Sequence, residues 1–166
     1  MNAAAHRTTA AVVLSQWAVP QPPARIGVVA DQDVSPAGGP VAVLIVDDQA
    51  PFRTSARAVV GFTSGFEVVG EAQSGEEALE QVEALGPQLV LMDINMPGMG
   101  GIAATRQITT EHPEVRVVLL STYDADDLPA DARTCGAAGY VHKEQFGPDV
   151  LTTLWDADAD GAGSEG

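Results

Sequence analysis

Basic residues are scarce in this sequence, and the shortage limits the partners that the protein can have. Of 166 residues only 8 are Lys or Arg, against 23 Asp or Glu, which leaves a formal net charge of -15. Nucleic-acid binding depends on cationic side chains that neutralise phosphates, and a surface this acidic repels phosphates instead. We therefore expect no direct contact with DNA or RNA.

Cysteine is almost absent, and long apolar runs are absent. The single Cys135 cannot form an internal disulfide, and no pair of Cys and His residues has the spacing of a metal site. No apolar run approaches the roughly 18 residues that a membrane span needs. These features predict a cytoplasmic protein without a membrane segment, in which Cys135 is packed at a helix end rather than acting as a nucleophile.

Both ends of the sequence lack the periodic apolar pattern of folded elements. Residues 1–40 are rich in Ala, Pro, Gly and Val, and we interpret them as a flexible N-terminal extension. Their apolar run from Thr9 to Val19 weakly resembles a signal peptide, although polar residues interrupt it, and a start site assigned too far upstream explains it equally well. Residues 156–166 have no apolar residue except Ala and are predicted to form a disordered acidic tail.

Between these ends, short apolar runs alternate with amphipathic segments, a pattern typical of a parallel α/β sheet. Strands are predicted at 41–46, 66–72, 88–93, 115–122 and 138–142, with helices at about 51–63, 75–85, 100–111, 126–135 and 146–155. Strands this apolar must be covered on both faces. We therefore predict an α/β domain over residues 41–155, with a five-stranded, parallel, doubly wound sheet and helices on both faces.

Glycine and proline give the ends of individual helices. Gly86 and Pro87 should end the second helix. Pro129 is tolerated only in a first turn, so the helix at 126–135 should be short. Gly100 and Gly101 precede the third helix, and glycine caps a helix less well than Ser, Asp or Asn would.

Polar residues stand where the predicted strands end. They are Asp47 and Asp48 after the first strand, Asp93 at the end of the third, Ser121 and Thr122 at the end of the fourth, and Lys143 after the fifth. In open parallel sheets, ligands bind outside the carboxyl ends of the strands. Three carboxylates at one edge would repel each other unless a divalent cation lay among them, and an all-oxygen ligand set suits Mg²⁺. One such residue would be an ordinary solvated strand end, but the whole set predicts a functional site.

Four blocks of sequence resemble the receiver domains of bacterial response regulators. They are VLIVDDQ at 43–49, LVLMDINMPGMGG at 89–101, VVLLST at 117–122 and GYVHK at 139–143. The resemblance covers about residues 41–155 and is greatest to receivers of regulators with a LuxR-type helix-turn-helix. It implies a flavodoxin-like fold, as in CheY, and a switch in a two-component phosphorelay rather than an enzyme. The phosphoryl group would come from a sensor histidine kinase or a phosphotransfer protein.

The resemblance also implies a role for each residue of the predicted site. Asp93 would be the phosphoacceptor and form an acyl phosphate. It would also bind Mg²⁺ together with Asp48, with Asp47 acting largely through water and with the backbone carbonyl of Asn95. The Lys143 ammonium would add positive charge on the side opposite the metal.

Two further residues resemble the parts that transmit the signal. Ser121, rather than Thr122, would be the switch hydroxyl, because its separation from Lys143 suits the family. Tyr140 would be the aromatic residue whose rotamer follows that hydroxyl, unless it is an ordinary half-buried strand tyrosine.

Within the family pattern, the signal should leave through a face formed by residues 126–155. A downstream protein or a second copy of the chain would bind there. The apolar residues of the last helix, Leu151, Leu154 and Trp155, are expected to make that contact.

Three alternatives compete with a phosphorylated receiver. A phosphorylation-independent pseudo-receiver would keep the fold, but the intact set of site residues argues against it. A phosphatase of the haloacid dehalogenase type needs a second aspartate two residues after its nucleophile, where this chain has Asn95. A fragment of a DNA-binding regulator would have the same chemistry, and we expect no helix-turn-helix after Trp155.

Overall fold

The structure, a computed structural model, describes residues 39–163. The predicted N-terminal extension up to residue 38 and the last three residues lie outside the described residues. The strands are β1 (Val41–Val46), β2 (Phe66–Ala72), β3 (Leu89–Asp93), β4 (Arg116–Ser121) and β5 (Gly139–His142). The α-helices are α1 (Ala50–Gly61), α2 (Gly75–Leu85), α3 (Gly101–Glu111) and α4 (Pro148–Gly163).

The five strands form one parallel sheet in the order β2-β1-β3-β4-β5, which confirms the predicted fold class. Successive side chains of a strand point to opposite faces, so each strand contributes to two separate cores. On one face Leu44 and Val46 pack with residues of α2 and α3. On the other face Val43 and Ile45 pack with residues of α1 and α4.

The end of α2 agrees with the sequence signals. Ser74 caps its start by accepting a hydrogen bond from the Glu77 N–H at 3.1 Å. Gly86 ends it in the left-handed conformation at φ 59° and donates its N–H to the Val82 carbonyl. By contrast, the N-cap residue of α3 is Gly100, which provides no side-chain cap, as predicted.

The segment predicted to be a helix at 126–135 is not an α-helix in the structure. It forms two short 3-10 helices, Ala125–Asp127 and Ala130–Arg133. Pro129 lies between them, and proline has no N–H to donate and disfavours a helical conformation in the residue before it. The predicted shortening was right, but the element type was wrong.

The last helix is longer than predicted, because α4 runs on to Gly163 and so extends into the segment expected to be disordered. Once a helix has started, adding residues costs little, and the alanines in this segment favour continuation. No helix within residues 39–163 is long and apolar enough to cross a membrane.

The apolar residues of α4 face the sheet rather than the solvent, which corrects the expectation that they dock a partner. Leu151 and Leu154 are fully or almost fully buried in the core beneath α1, and Trp155 packs against the same core. The Trp155 ring lies edge-on to Phe66, with the Arg116 guanidinium 3.9 Å from its centroid. Any partner on this side would therefore contact the polar residues of α4.

Cys135 is packed as expected. Its side chain is buried, and its thiol donates a hydrogen bond to the Ala132 carbonyl. Burial raises the pKa of this thiol above its ordinary value of 9.0, which lowers the fraction of reactive thiolate.

Candidate functional site

The site lies where the chain reverses its direction of travel across the sheet. From β1 the chain passes to β2 on one side and then returns to β3 on the other side of β1. The carboxyl ends of β1 and β3 therefore form the crevice in which doubly wound sheets bind ligands. Asp47 and Asp48 follow β1, and Asp93 ends β3.

Asp47 is fully buried, and its backbone N–H and both carboxylate oxygens contact other residues. Its N–H donates to the Ala72 carbonyl at 3.0 Å, and its Oδ1 accepts the Gln49 N–H at 2.8 Å. Its Oδ2 lies 2.7 Å from the Lys143 Nζ. Asp48 is exposed, and its carboxylate has no hydrogen bond or ion pair to residues 39–163. Of the adjacent pair, Asp47 is a fixed anchor and Asp48 is open to a ligand.

Asp93 is also buried, with 2% of its surface exposed. Its Oδ1 accepts the Asn95 N–H at 3.3 Å and lies 3.3 Å from the Lys143 Nζ. Helix α3 begins directly against its backbone, because a Cβ on Gly101 would overlap the Asp93 carbonyl oxygen. Only glycine allows this approach, so Gly101 fixes where the helix meets the end of β3.

Lys143, the only lysine of the chain, reaches both buried carboxylates. It follows β5, in a short 3-10 helix started by His142, whose Nδ1 accepts the Glu144 N–H. The Lys143 Nζ lies over the Phe52 ring, 4.7 Å from its centroid. The ammonium thus bridges Asp47 and Asp93.

The carboxylates of Asp47, Asp48 and Asp93 could hold a divalent cation. One oxygen from each lies within 4.8 Å of the others. Burial raises the pKa of Asp93 from 3.8 to about 6, with the Asp47 charge adding to the effect and Lys143 opposing it. One ammonium therefore does not neutralise the group, and an all-oxygen set with excess negative charge fits Mg²⁺. Asn95 is exposed in the adjacent loop, where its carbonyl could contribute a further oxygen.

Ser121 and Tyr140 contact the same residue, Tyr123. The buried Ser121 Oγ accepts the Tyr123 N–H at 2.9 Å, and the Tyr140 hydroxyl donates to the Tyr123 carbonyl. Tyr140 is 3% exposed, so its ring already lies inside the domain, and burial raises the pKa of its phenol to about 12. Thr122 is exposed, so the choice of Ser121 as the candidate hydroxyl agrees with its burial at the strand end.

Sequence reasoning gave no role at the site to Phe52, Arg53 and Tyr123, and it named Gly101 only for its position before the third helix. Phe52 and Arg53 lie at the start of α1, and the first turn after a strand end returns side chains toward that end. Their position after β1 was the available signal. The role of Tyr123 lies in its backbone, and the role of Gly101 lies in a contact between elements, so neither carried a residue-type signal.

Comparison with known proteins gives concordant matches. The family model for the response regulator receiver domain matches residues 43–155. The response regulator GacA of Pseudomonas viridiflava is 42% identical over 103 residues, which are 62% of this chain and 48% of that protein. The chain therefore spans about half the length of the curated relatives it matches.

Solved structures agree with the family match. The signal receiver domain of NarL from Mycobacterium tuberculosis is 30% identical, with a TM-score of 0.66 over 72% of this chain and 96% of that one. A chain from the CheX-CheY-BeF3-Mg complex of Borrelia burgdorferi is 28% identical, with a TM-score of 0.64 over 74% of this chain and 92% of that one.

The raised pKa of Asp93 predicts how stability depends on pH without metal. Because the folded state holds this proton more tightly than the unfolded state, stability from this group is present at low pH and is lost as pH rises through about 6. We expect urea unfolding in chelator to show that the free energy of unfolding of wild type falls by about 1 kcal/mol, relative to that of Asp93→Asn, between about pH 5 and pH 7.5. Added Mg²⁺ should remove this difference in pH dependence between the two proteins. If their unfolding free energies changed in parallel with pH in chelator, the raised pKa would not belong to Asp93.

Proposed function

This chain belongs to the response regulator receiver domain family, and on that premise we propose that Asp93 accepts a phosphoryl group from a histidine kinase or a phosphotransfer protein. The observation that carries the proposal is the position of a buried carboxylate between an acidic pair and an ammonium. Asp93 lies 3.3 Å from the Lys143 Nζ, with the open carboxylate of Asp48 on the same sheet edge.

In this proposal an Asp93 oxygen attacks the phosphorus of a phosphohistidine. The new oxygen–phosphorus bond makes an acyl phosphate as the phosphorus–nitrogen bond breaks, and the leaving imidazole takes up a proton from solvent. The Asn95 N–H and the Lys143 ammonium orient the attacking carboxylate, because both lie at 3.3 Å from its Oδ1. Lys143 can then follow the negative charge onto a phosphoryl oxygen.

Asp48, Asp93 and the Asn95 carbonyl would hold Mg²⁺, with Asp47 acting largely through water. The bound cation would neutralise charge on the transferred group. The contacts of the two aspartates agree with a direct role for Asp48 and an indirect one for Asp47. The Asp48 side chain is exposed and has no partner among residues 39–163. Asp47, in contrast, is occupied by Gln49 and Lys143. Mg²⁺ also stands in the name of the Borrelia burgdorferi complex that this chain resembles, together with the phosphoryl mimic beryllofluoride.

Ser121 and Tyr140 would transmit the effect of phosphorylation from Asp93 to the segment that follows β4. Ser121 Oγ accepts from Tyr123, and its own hydrogen has no acceptor among residues 39–163, so it remains available for a phosphoryl oxygen. Turning the hydroxyl toward that oxygen would alter the hydrogen bond to the Tyr123 N–H. Tyr140 holds the carbonyl of the same residue, so the shift would pass into the segment that follows β4.

The output surface would be the exposed part of residues 126–155, where a partner protein or a second copy binds. Its two short 3-10 helices carry the exposed aspartates Asp126, Asp127 and Asp131. Short 3-10 helices have poorer hydrogen-bond geometry than α-helices, so this segment can be displaced at lower cost than the buried strands. A small shift at Ser121 could therefore change the population of two arrangements of this face.

Phosphorylation itself is the first test. Incubation with acetyl phosphate and Mg²⁺ should add one phosphoryl group, measured by intact mass and removed by hydroxylamine, because an acyl phosphate is labile to that nucleophile. Asp93→Asn should abolish the addition. Asp124→Asn removes an exposed carboxylate near the same edge and should leave it intact. An unmodified wild type would favour a phosphorylation-independent module, and modification of Asp93→Asn would move the chemistry elsewhere.

The output surface is tested with beryllofluoride and Mg²⁺. Amide exchange should change over residues 121–155 in wild type and stay unchanged in Asp93→Asn, because the mimic needs the acceptor carboxylate. Light scattering on the same samples separates a second copy from a different partner. Changes confined to residues 93–101 would contradict an output through this face.

A further inference from the structure

Two arginines of α1 share one carboxylate on β2. Glu71 forms an ion pair with Arg53, whose Nε lies 3.2 Å from its Oε1, and a second one through Oε2 with the Nη1 of Arg57. Arg53 and Arg57 are four residues apart, so they lie on the same face of the helix. The family resemblance assigned no role to any of these three residues.

The two arginines differ in what else they touch. The Nη1 of Arg53 donates a hydrogen bond of 2.7 Å to the backbone carbonyl of Asp47. Among residues 39–163, the side chain of Arg57 has a hydrogen bond and ion pair with Glu71 and with no other residue. The Arg53 side chain is 15% exposed, against 51% for Arg57. A partly buried, hydrogen-bonded guanidinium contributes more to local geometry than a pair screened by solvent.

The Asp47 carbonyl belongs to the peptide that links Asp47 to Asp48. The preceding peptide is already fixed, since the Asp47 N–H bonds the Ala72 carbonyl, and the Asp47 side chain is held by Gln49 and Lys143. Asp48 has no side-chain bond within residues 39–163, so its direction depends on how the 47–48 peptide is turned. Arg53 holds the oxygen of that peptide.

We propose that Arg53, anchored by Glu71, is a positioning residue that fixes the Asp47–Asp48 peptide and so keeps the Asp48 carboxylate beside Asp93. This inference rests on the proposed function, because it explains the position of the Asp48 carboxylate by the binding of a divalent cation. Arginine suits the position because its planar fork donates to a carboxylate and a carbonyl at once, whereas lysine carries its charge at one point.

The matched pair Arg53→Gln and Arg57→Gln tests the inference, since each variant removes one ion pair to Glu71. In Mg²⁺ titrations followed by the amide shifts of residues 93–101, the dissociation constant of Arg53→Gln should be about tenfold higher than that of wild type, or more. Arg57→Gln should stay within about twofold of wild type. Arg53→Lys should resemble Arg53→Gln, because charge without the fork does not restore the two bonds.

A second readout needs no metal. In chelator, the amide protons of Asp47 and Gln49 should exchange faster in Arg53→Gln than in Arg57→Gln, because only the first loosens the peptide between them. Thermal unfolding of each variant identifies any loss of fold. Should Arg53→Gln fail to fold, Glu71→Gln removes the anchor and should weaken Mg²⁺ binding in the same direction.

The outcomes separate this inference from the proposed function. If wild type neither binds Mg²⁺ nor accepts a phosphoryl group, the proposed function fails, and the exchange rates in chelator still test the positioning. If wild type binds Mg²⁺ and Arg53→Gln matches Arg57→Gln in both readouts, the positioning inference is wrong. Full rescue by Arg53→Lys would also overturn it, because charge alone would then suffice.

Discussion

Repulsion among Asp47, Asp48 and Asp93 is the constraint on which the rest of the site depends. Two of these carboxylates are buried, where loss of water disfavours their charged form. The raised pKa of Asp93 shows that one lysine only partly compensates. A cluster of this kind favours an additional positive charge, and an all-oxygen ligand set suits a divalent cation such as Mg²⁺.

The structure keeps the acidic pocket rigid and leaves the segment after β4 less firmly held. Asp47 and Asp93 are fixed by backbone hydrogen bonds, by Lys143 and by the close approach of Gly101. Beyond Ser121 the chain forms only short 3-10 helices before β5. Chemistry needs fixed groups and a switch needs an element with two arrangements, so this division suits a receiver.

Most of the fold could be predicted because its strands are apolar and its strand ends are polar. The five strands lie within one residue of their predicted bounds. The carboxylates at the ends of β1 and β3 lie close together, and Lys143 contacts two of them. What failed depended on contacts between distant elements. Helical spacing in Leu151 and Leu154 did not reveal that the sheet already buries them, and the residues around Pro129 gave no signal for 3-10 geometry. Arg53 was not predicted as a site residue because its proposed role depends on its contact with Glu71, 18 residues away on β2.

Direct titration of Mg²⁺ into the wild-type chain tests the central claim, that the clustered carboxylates require a cation. The account predicts saturable shifts in the amides of residues 93–101, at sub-millimolar to millimolar strength as in open carboxylate sites. It also predicts that Asp48→Ala abolishes the response, because Asp48 is the open carboxylate of the set. No response in wild type, or a full response in Asp48→Ala, would contradict the account.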